Sequence, residues 1–156
     1  MSAIRFVALP TAVVTALQTG NPDANGQTPE QAISDGDGVP CRHCLDLVGT
    51  DDAYLILAHR PFTTMQPYAE CGPIFLHAAA CERYAETAEM PPMLGSDQYI
   101  LRGYNSAERI IYGTGQIVPT AQIPQRAQEL FERAEVAYIH VRSATNNCFQ
   151  CRIERA

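Results

Sequence analysis

Residues 41–44 read Cys41-Arg42-His43-Cys44, and residues 77–81 read His77-Ala78-Ala79-Ala80-Cys81. Two thiols separated by two residues sit on one tight turn and point their sulfurs into one concavity. An imidazole and a thiol at i and i+4 lie on one face of a helix. Brought together, Cys41, Cys44, His77 and Cys81 supply the four soft donors of a tetrahedral Zn²⁺ site with no position left open, which is the structural rather than the catalytic type. The expected cofactor is therefore one structural zinc ion. It would tie together two pieces of chain more than thirty residues apart.

Working out from this segment, Ala53–His59 and Pro73–Leu76 read as strands, and a helix is expected to begin near His77 and run through Cys81 towards Glu86. Turn, strand pair and helix start is the order of a treble-clef-like zinc-binding segment, here spanning 41–86 with an enlarged hairpin loop at Pro61–Cys71. Upstream, Ile4–Leu9 reads as a strand and Thr11–Thr19 as a helix stopped by Gly20. The stretch 20–40 is rich in Asn, Asp, Gly and Pro and reads as a long loop, with Thr28-Pro29-Glu30-Gln31 able to start a helical turn. Downstream, Gln98–Tyr104 and Arg109–Val118 read as strands. Ala121–Ala134 reads as a helix with Ile123, Ala127, Leu130, Phe131 and Ala134 on one face. Val136–Arg142 and Cys148–Glu154 read as a hairpin. Strands outnumber helices and connect by short turns, so the expected class is α+β: a mostly antiparallel sheet with two or three helices, in one domain over 1–156.

Other cysteine pairings compete with the first. Cys148-Phe149-Gln150-Cys151 repeats the C-x2-C spacing, and with Cys41 and Cys44 it would make a four-cysteine site. Strand geometry weighs against that, because residues three apart on a strand face opposite ways. His59 is an alternative to His77. His43 is expected to face solvent, Cys71 to be idle, and Cys151 to act as a small buried hydrophobe.

Composition narrows the chemistry. The chain of 156 residues carries a net charge of −6, and all 11 basic residues are Arg. Without Lys there is no Schiff-base chemistry, pyridoxal attachment or P-loop lysine. The acidic balance argues against nonspecific nucleic-acid binding. No run has the length of a membrane span. The apolar start is interrupted by Pro10 and lacks the flanks of a signal peptide, so six cysteines point to metal or free thiols in the cytoplasm rather than to disulfides.

Alternation along Val136–Arg142 places Ala137, Ile139 and Val141 on one face and Tyr138, His140 and Arg142 on the other. Across the turn, Cys148, Gln150 and Arg152 share the face opposite Phe149, Cys151 and Ile153, and neighbouring strands can add Arg102 and Tyr104. Such a wall of Arg, His and Tyr suits a carboxylate or phosphate. His140 beside Cys148 would also form a thiolate–imidazole pair. A solvated outer hairpin face shows the same alternation.

These runs also carry a resemblance. Pro40-Cys41-Arg42-His43-Cys44-Leu45, Tyr54-Leu55-Ile56-Leu57-Ala58-His59-Arg60-Pro61-Phe62, Pro67-Tyr68-Ala69-Glu70 with Gly72-Pro73-Ile74-Phe75-Leu76-His77, and Tyr138-Ile139-His140-Val141-Arg142-Ser143-Ala144 before Cys148 resemble the bacterial family called domain of unknown function 1203. The resemblance implies a small, single-domain bacterial protein without an assigned reaction. It implies a metal that is structural and dispensable in some members. It also points to Arg42, Tyr68, Tyr138, His140 and Asn146 as widely shared positions.

Three functions follow as expectations: a zinc-stabilised module binding a small anionic ligand through Arg42, Arg102, Tyr138, His140, Arg142 and Asn146; an enzyme using His140 and Cys148 or a zinc-bound water; or a zinc module that docks a protein partner.

Overall fold

The computed structural model describes residues 2–156. Its strands are β1 (Ile4–Val7), β2 (Glu30–Ile33), β3 (Ala53–His59), β4 (Gly72–His77), β5 (Gln98–Tyr104), β6 (Gln116–Pro119), β7 (Tyr138–Ser143) and β8 (Phe149–Arg155), with helices α1 (Thr11–Gln18) and α2 (Ile123–Phe131). They form a five-stranded sheet in the order β1-β8-β7-β5-β6 and a three-stranded sheet in the order β2-β3-β4. Every pairing is antiparallel. The class is α+β, as expected.

Strand β7 lies at the centre of the larger sheet, and five of its six residues are buried. Ile139 and Val141 join Cys151, Ile153, Phe6 and Leu101 in one core, which α2 covers with Ile123, Ala127, Leu130 and Phe131. Burying each of these large side chains contributes about 1.5–3 kcal/mol, which fixes the helix to the sheet. A second core lies against the three-stranded sheet, where Leu55, Leu57, Ile74 and Leu76 meet Val14 and Leu17 of α1, with Cys41 and Phe149. Helix α1 stops where Gly20 takes φ +98°, and the N–H groups of Gly20 and Asn21 close on the carbonyls of Leu17 and Ala16. That is a Schellman cap, and it needs the glycine.

Several expectations fail here. Glu30–Ile33 is a strand rather than a helical turn, because it pairs along β3 from Glu30↔Ile56 to Ile33↔Ala53. No helix follows His77: residues 78–97 are irregular. Their backbone groups are taken by distant partners, Tyr84 N–H by the His43 carbonyl and Ala78 N–H by the Ala53 carbonyl, and the Thr87 carbonyl accepts from Phe6 N–H. The treble-clef likeness therefore lacks its helix.

The hairpin face of Tyr138, His140 and Arg142 is not solvated: they are 3%, 1% and 4% exposed. A β-bulge shifts the register so that Val141 faces Cys151 while Arg142 faces Phe149. Gln150 is the extra residue, and Phe149 moves to the face of Arg142 instead of sharing that of Cys151 and Ile153.

Candidate metal centre and arginine cleft

The first cysteine turn is shaped by its own backbone. Cys41 N–H donates to the Asp46 carbonyl and Leu45 N–H to the Cys41 carbonyl, both at 2.9 Å. Leu45 adopts φ +54° to close the turn, a strained conformation for a branched residue. Complete burial of its side chain in the main core offsets that cost. His77 is the last residue of β4 and pairs with Tyr54. Cys81 arrives on irregular chain, held by Gln18 Nε2, which donates to the carbonyls of His77 and Ala79 at 2.9 Å each.

The four predicted donors meet. The Sγ atoms of Cys41, Cys44 and Cys81 and a ring nitrogen of His77 all lie within 4.8 Å of one another, and theirs is the one such group among the described residues. Cys41 Sγ and Cys81 Sγ are 3.9 Å apart, and Cys44 Sγ is 3.5 Å from His77 Nδ1. The edges of a tetrahedron with Zn–S of about 2.3 Å and Zn–N of about 2.0 Å are about 3.8 and 3.5 Å. The donor set therefore fits a tetrahedral ion of that size.

Electrostatics favours charge at the centre of the turn. The Cys44 thiol and the N–H groups of Cys44, His77 and His43 outweigh burial and hold the Cys41 thiol down at about 4. That thiolate pushes the Cys44 thiol upward, and burial followed by the Cys41 charge raises Cys81 to about 11. A bound cation reverses this, because metal binding deprotonates each thiol ligand.

His43 is 2% exposed, not solvent-facing. Its Nδ1 lies 3.1 Å from Cys81 Sγ and its Nε2 lies 2.9 Å from Thr11 Oγ1, so it braces Cys81 from outside the four-residue cluster. The four-cysteine alternative is not assembled: Cys151 is in the main core, and Cys148 is near the Asn146 carbonyl, 3.8 Å away. His59 ends β3 and packs against Phe149, with ring centres 5.8 Å apart.

The predicted ligand-binding residues divide among three places. Arg42 is buried as a strut, donating to the carbonyls of Phe149 and Pro40 at 2.8 Å each. Burial lowers its guanidinium to about 10. Arg102 and Arg142 converge on one carboxylate oxygen, Glu70 Oε1, at 2.7 and 3.0 Å. Asn146, Cys148 and Cys71 line the adjoining cleft of about 180 Å³ together with Arg142 and Glu70. Tyr138 and His140 belong to an aromatic cluster with Tyr104, Phe62 and Phe149. Among the described residues no hydrogen bond joins His140 to Cys148, so the thiolate–imidazole pair is not assembled. Glu70 was not foreseen as part of the cleft. Its only sequence signal is its place in the run Pro67–Glu70.

The family model described as "Protein of unknown function (DUF1203)" matches residues 38–155. The chain belongs to this family. The match takes in all four candidate metal donors and every residue of the arginine cleft. No curated protein and no solved structure matches the chain. Among the described residues, no helix is long and apolar enough to cross a membrane.

Proposed function

We propose that this DUF1203 protein is a ligand-binding module braced by one structural zinc ion at Cys41, Cys44, His77 and Cys81. The observation that carries the metal is the closure of three sulfurs and one imidazole nitrogen within 4.8 Å. Four protein donors fill a tetrahedron and leave no position for water or substrate, so the ion braces the fold instead of activating a reactant. All six cysteines are free thiols, which suits a reducing compartment such as the cytoplasm. Purified protein is expected to contain one zinc per chain by elemental analysis. Cys41→Ser should abolish it and Cys148→Ser should leave it unchanged. Equal loss in both variants, or no zinc in the wild type, refutes the assignment.

The ligand is a small anion in the cleft at Arg102 and Arg142. Two guanidinium groups face a single carboxylate there, and Arg142 Nε is buried without a hydrogen-bond partner. That leaves net positive charge at a cleft whose walls also include Asn146 and Asn147. A cleft of about 180 Å³ falls below the 300–1,000 Å³ usual for organic cofactors, so it suits phosphate or a carboxylate of a few carbons. Glu70 competes for the same donors. Glu70→Gln should therefore tighten phosphate binding about tenfold, read as a larger rise in Tm with added phosphate, because removing the competing carboxylate is worth about 1.4 kcal/mol. A Glu70→Gln protein no more responsive than wild type contradicts the reading.

A further inference from the structure

His140 occupies an unusual electrostatic position. In the sheet register it lies between Arg102 of β5 and Arg152 of β8, while Arg142 follows two residues later on the same face. Arg142 Nη2 is 3.4 Å from His140 Nδ1. A guanidinium can only donate, so Nδ1 accepts and the ring proton sits on Nε2. His140 Nε2 is buried and has no hydrogen-bond partner.

The environment makes that N–H a strong donor. Burial, reinforced by Arg142, Arg152 and Arg102, holds the imidazole neutral, well below its usual pKa. A neutral ring with a cation on one nitrogen is polarised, so its other N–H carries extra positive character. The carboxylates nearby are already engaged. Glu108 accepts from Thr63 and Thr64, Glu70 bridges Arg102 and Arg142, and Glu154 meets Arg5 and Arg152.

His140 borders a cavity of about 410 Å³, whose apolar walls include Leu9, Val13, Phe62 and Phe149, with half-buried Arg60 and Arg152. Arg142 does not line this cavity, whereas His140, whose Nε2 is unpartnered, does. The cavity lies within the size range of small-molecule sites. Arg60 has no carboxylate partner among the described residues.

We propose that this cavity binds a small monocarboxylate with an apolar body, one carboxylate oxygen accepting from His140 Nε2–H and the body packed on Phe62 and Phe149. The site is distinct from the zinc and adjoins the Glu70 cleft, with which it shares only His59, Pro61 and Phe149 as walls. An acceptor is required because the imidazole presents only a donor. A negative charge is favoured because the nearest charged neighbours of the ring are arginines. The apolar walls demand a hydrocarbon body that phosphate lacks.

The test is NMR of protein labelled with ¹⁵N in its histidine rings, titrated with benzoate and hexanoate, with benzyl alcohol and phosphate as controls. The His140 ring signals should shift saturably with either carboxylate, with a Kd of about 1 mM or tighter, and at least tenfold more weakly with benzyl alcohol. Phosphate should raise the Tm of Glu70→Gln without displacing benzoate from the His140 site, which separates this site from the cleft. His140→Phe, which keeps an aromatic ring in the cluster, should abolish the rise in Tm with benzoate. If that variant does not fold, the wild-type titration decides alone. Unmoved His140 signals, an equal response to benzyl alcohol, or benzoate stabilisation surviving in His140→Phe would overturn the proposal.

Discussion

Removing the metal with a strong chelator, or replacing Cys41 by Ser, is expected to lower the Tm by about 8–16 °C. The donors sit on three separate pieces of chain: the 41–44 turn, the end of β4, and the irregular segment around Cys81. Zinc in small structural sites contributes on the order of 10 kcal/mol to folding. In this chain two apolar cores remain when the ion leaves, so the loss is smaller, about 4 kcal/mol. At about 2–4 °C per kcal/mol for a chain of this size, that gives the stated shift. The loss should be local first. Amides in 78–97 should lose hydrogen-exchange protection, while β7 and β8, inside the five-stranded sheet, keep theirs. A metal-free protein with unchanged Tm and unchanged protection in 78–97 would contradict this.

The second large effect is acid destabilisation between about pH 6.5 and pH 4. Burial, then the Arg42 charge, lowers the His59 imidazole to about 4, and burial with three arginines lowers His140 well below its usual value. Both histidines are neutral in the folded protein at neutral pH. In the unfolded chain both take up a proton near pH 6.5. Above that value neither state binds these protons, and the full stability is present. As the pH falls, the unfolded state binds protons that the folded state refuses, so stability drops until His59 titrates in the fold near pH 4. A shift from 6.5 to about 4 corresponds to about 3 kcal/mol, reduced to about 2 kcal/mol because His59 is only partly shielded from water. His140 adds to that. Urea unfolding at saturating zinc should show the decline, and His59→Phe should make its slope shallower. Stability that is flat from pH 6.5 to 5 would count against both buried neutral imidazoles.

How much of this was legible in the sequence differs by residue. The grouping of Cys41, Cys44, His77 and Cys81 was, because Cys41 and Cys44 share one turn and four soft side chains have few other ways to be satisfied in a core. The carrier of Cys81 was not. An Ala-Ala-Ala run favours helix locally, but its Ala78 N–H goes to β3 and its Ala79 carbonyl to Gln18 of α1. Local propensity lost to tertiary hydrogen bonding. The same holds for β2, whose Pro29-Glu30 start resembles a helix entry until β3 offers a ladder.

On the C-terminal hairpin, alternation correctly put Tyr138, His140 and Arg142 on one face with Arg102 and Tyr104. It could not show that the loop between β3 and β4 covers that face with Phe62 and Glu70. Nor could it show the bulge at Gln150, which leaves no mark in hydrophobic periodicity and yet moves Phe149 against His140. Arg42 looked like an anion ligand because its charge is visible in sequence and its two carbonyl partners are not. Glu70 belongs to a loop, and only the fold brings a loop carboxylate to two strand arginines.

X-ray absorption at the zinc edge on the purified protein bears most directly on the brace. Cys41, Cys44, His77 and Cys81 require three sulfur neighbours at about 2.3 Å and one nitrogen at about 2.0 Å, with no oxygen. A shell of four sulfurs, a shell of nitrogen and oxygen alone, or no bound zinc would contradict that assignment.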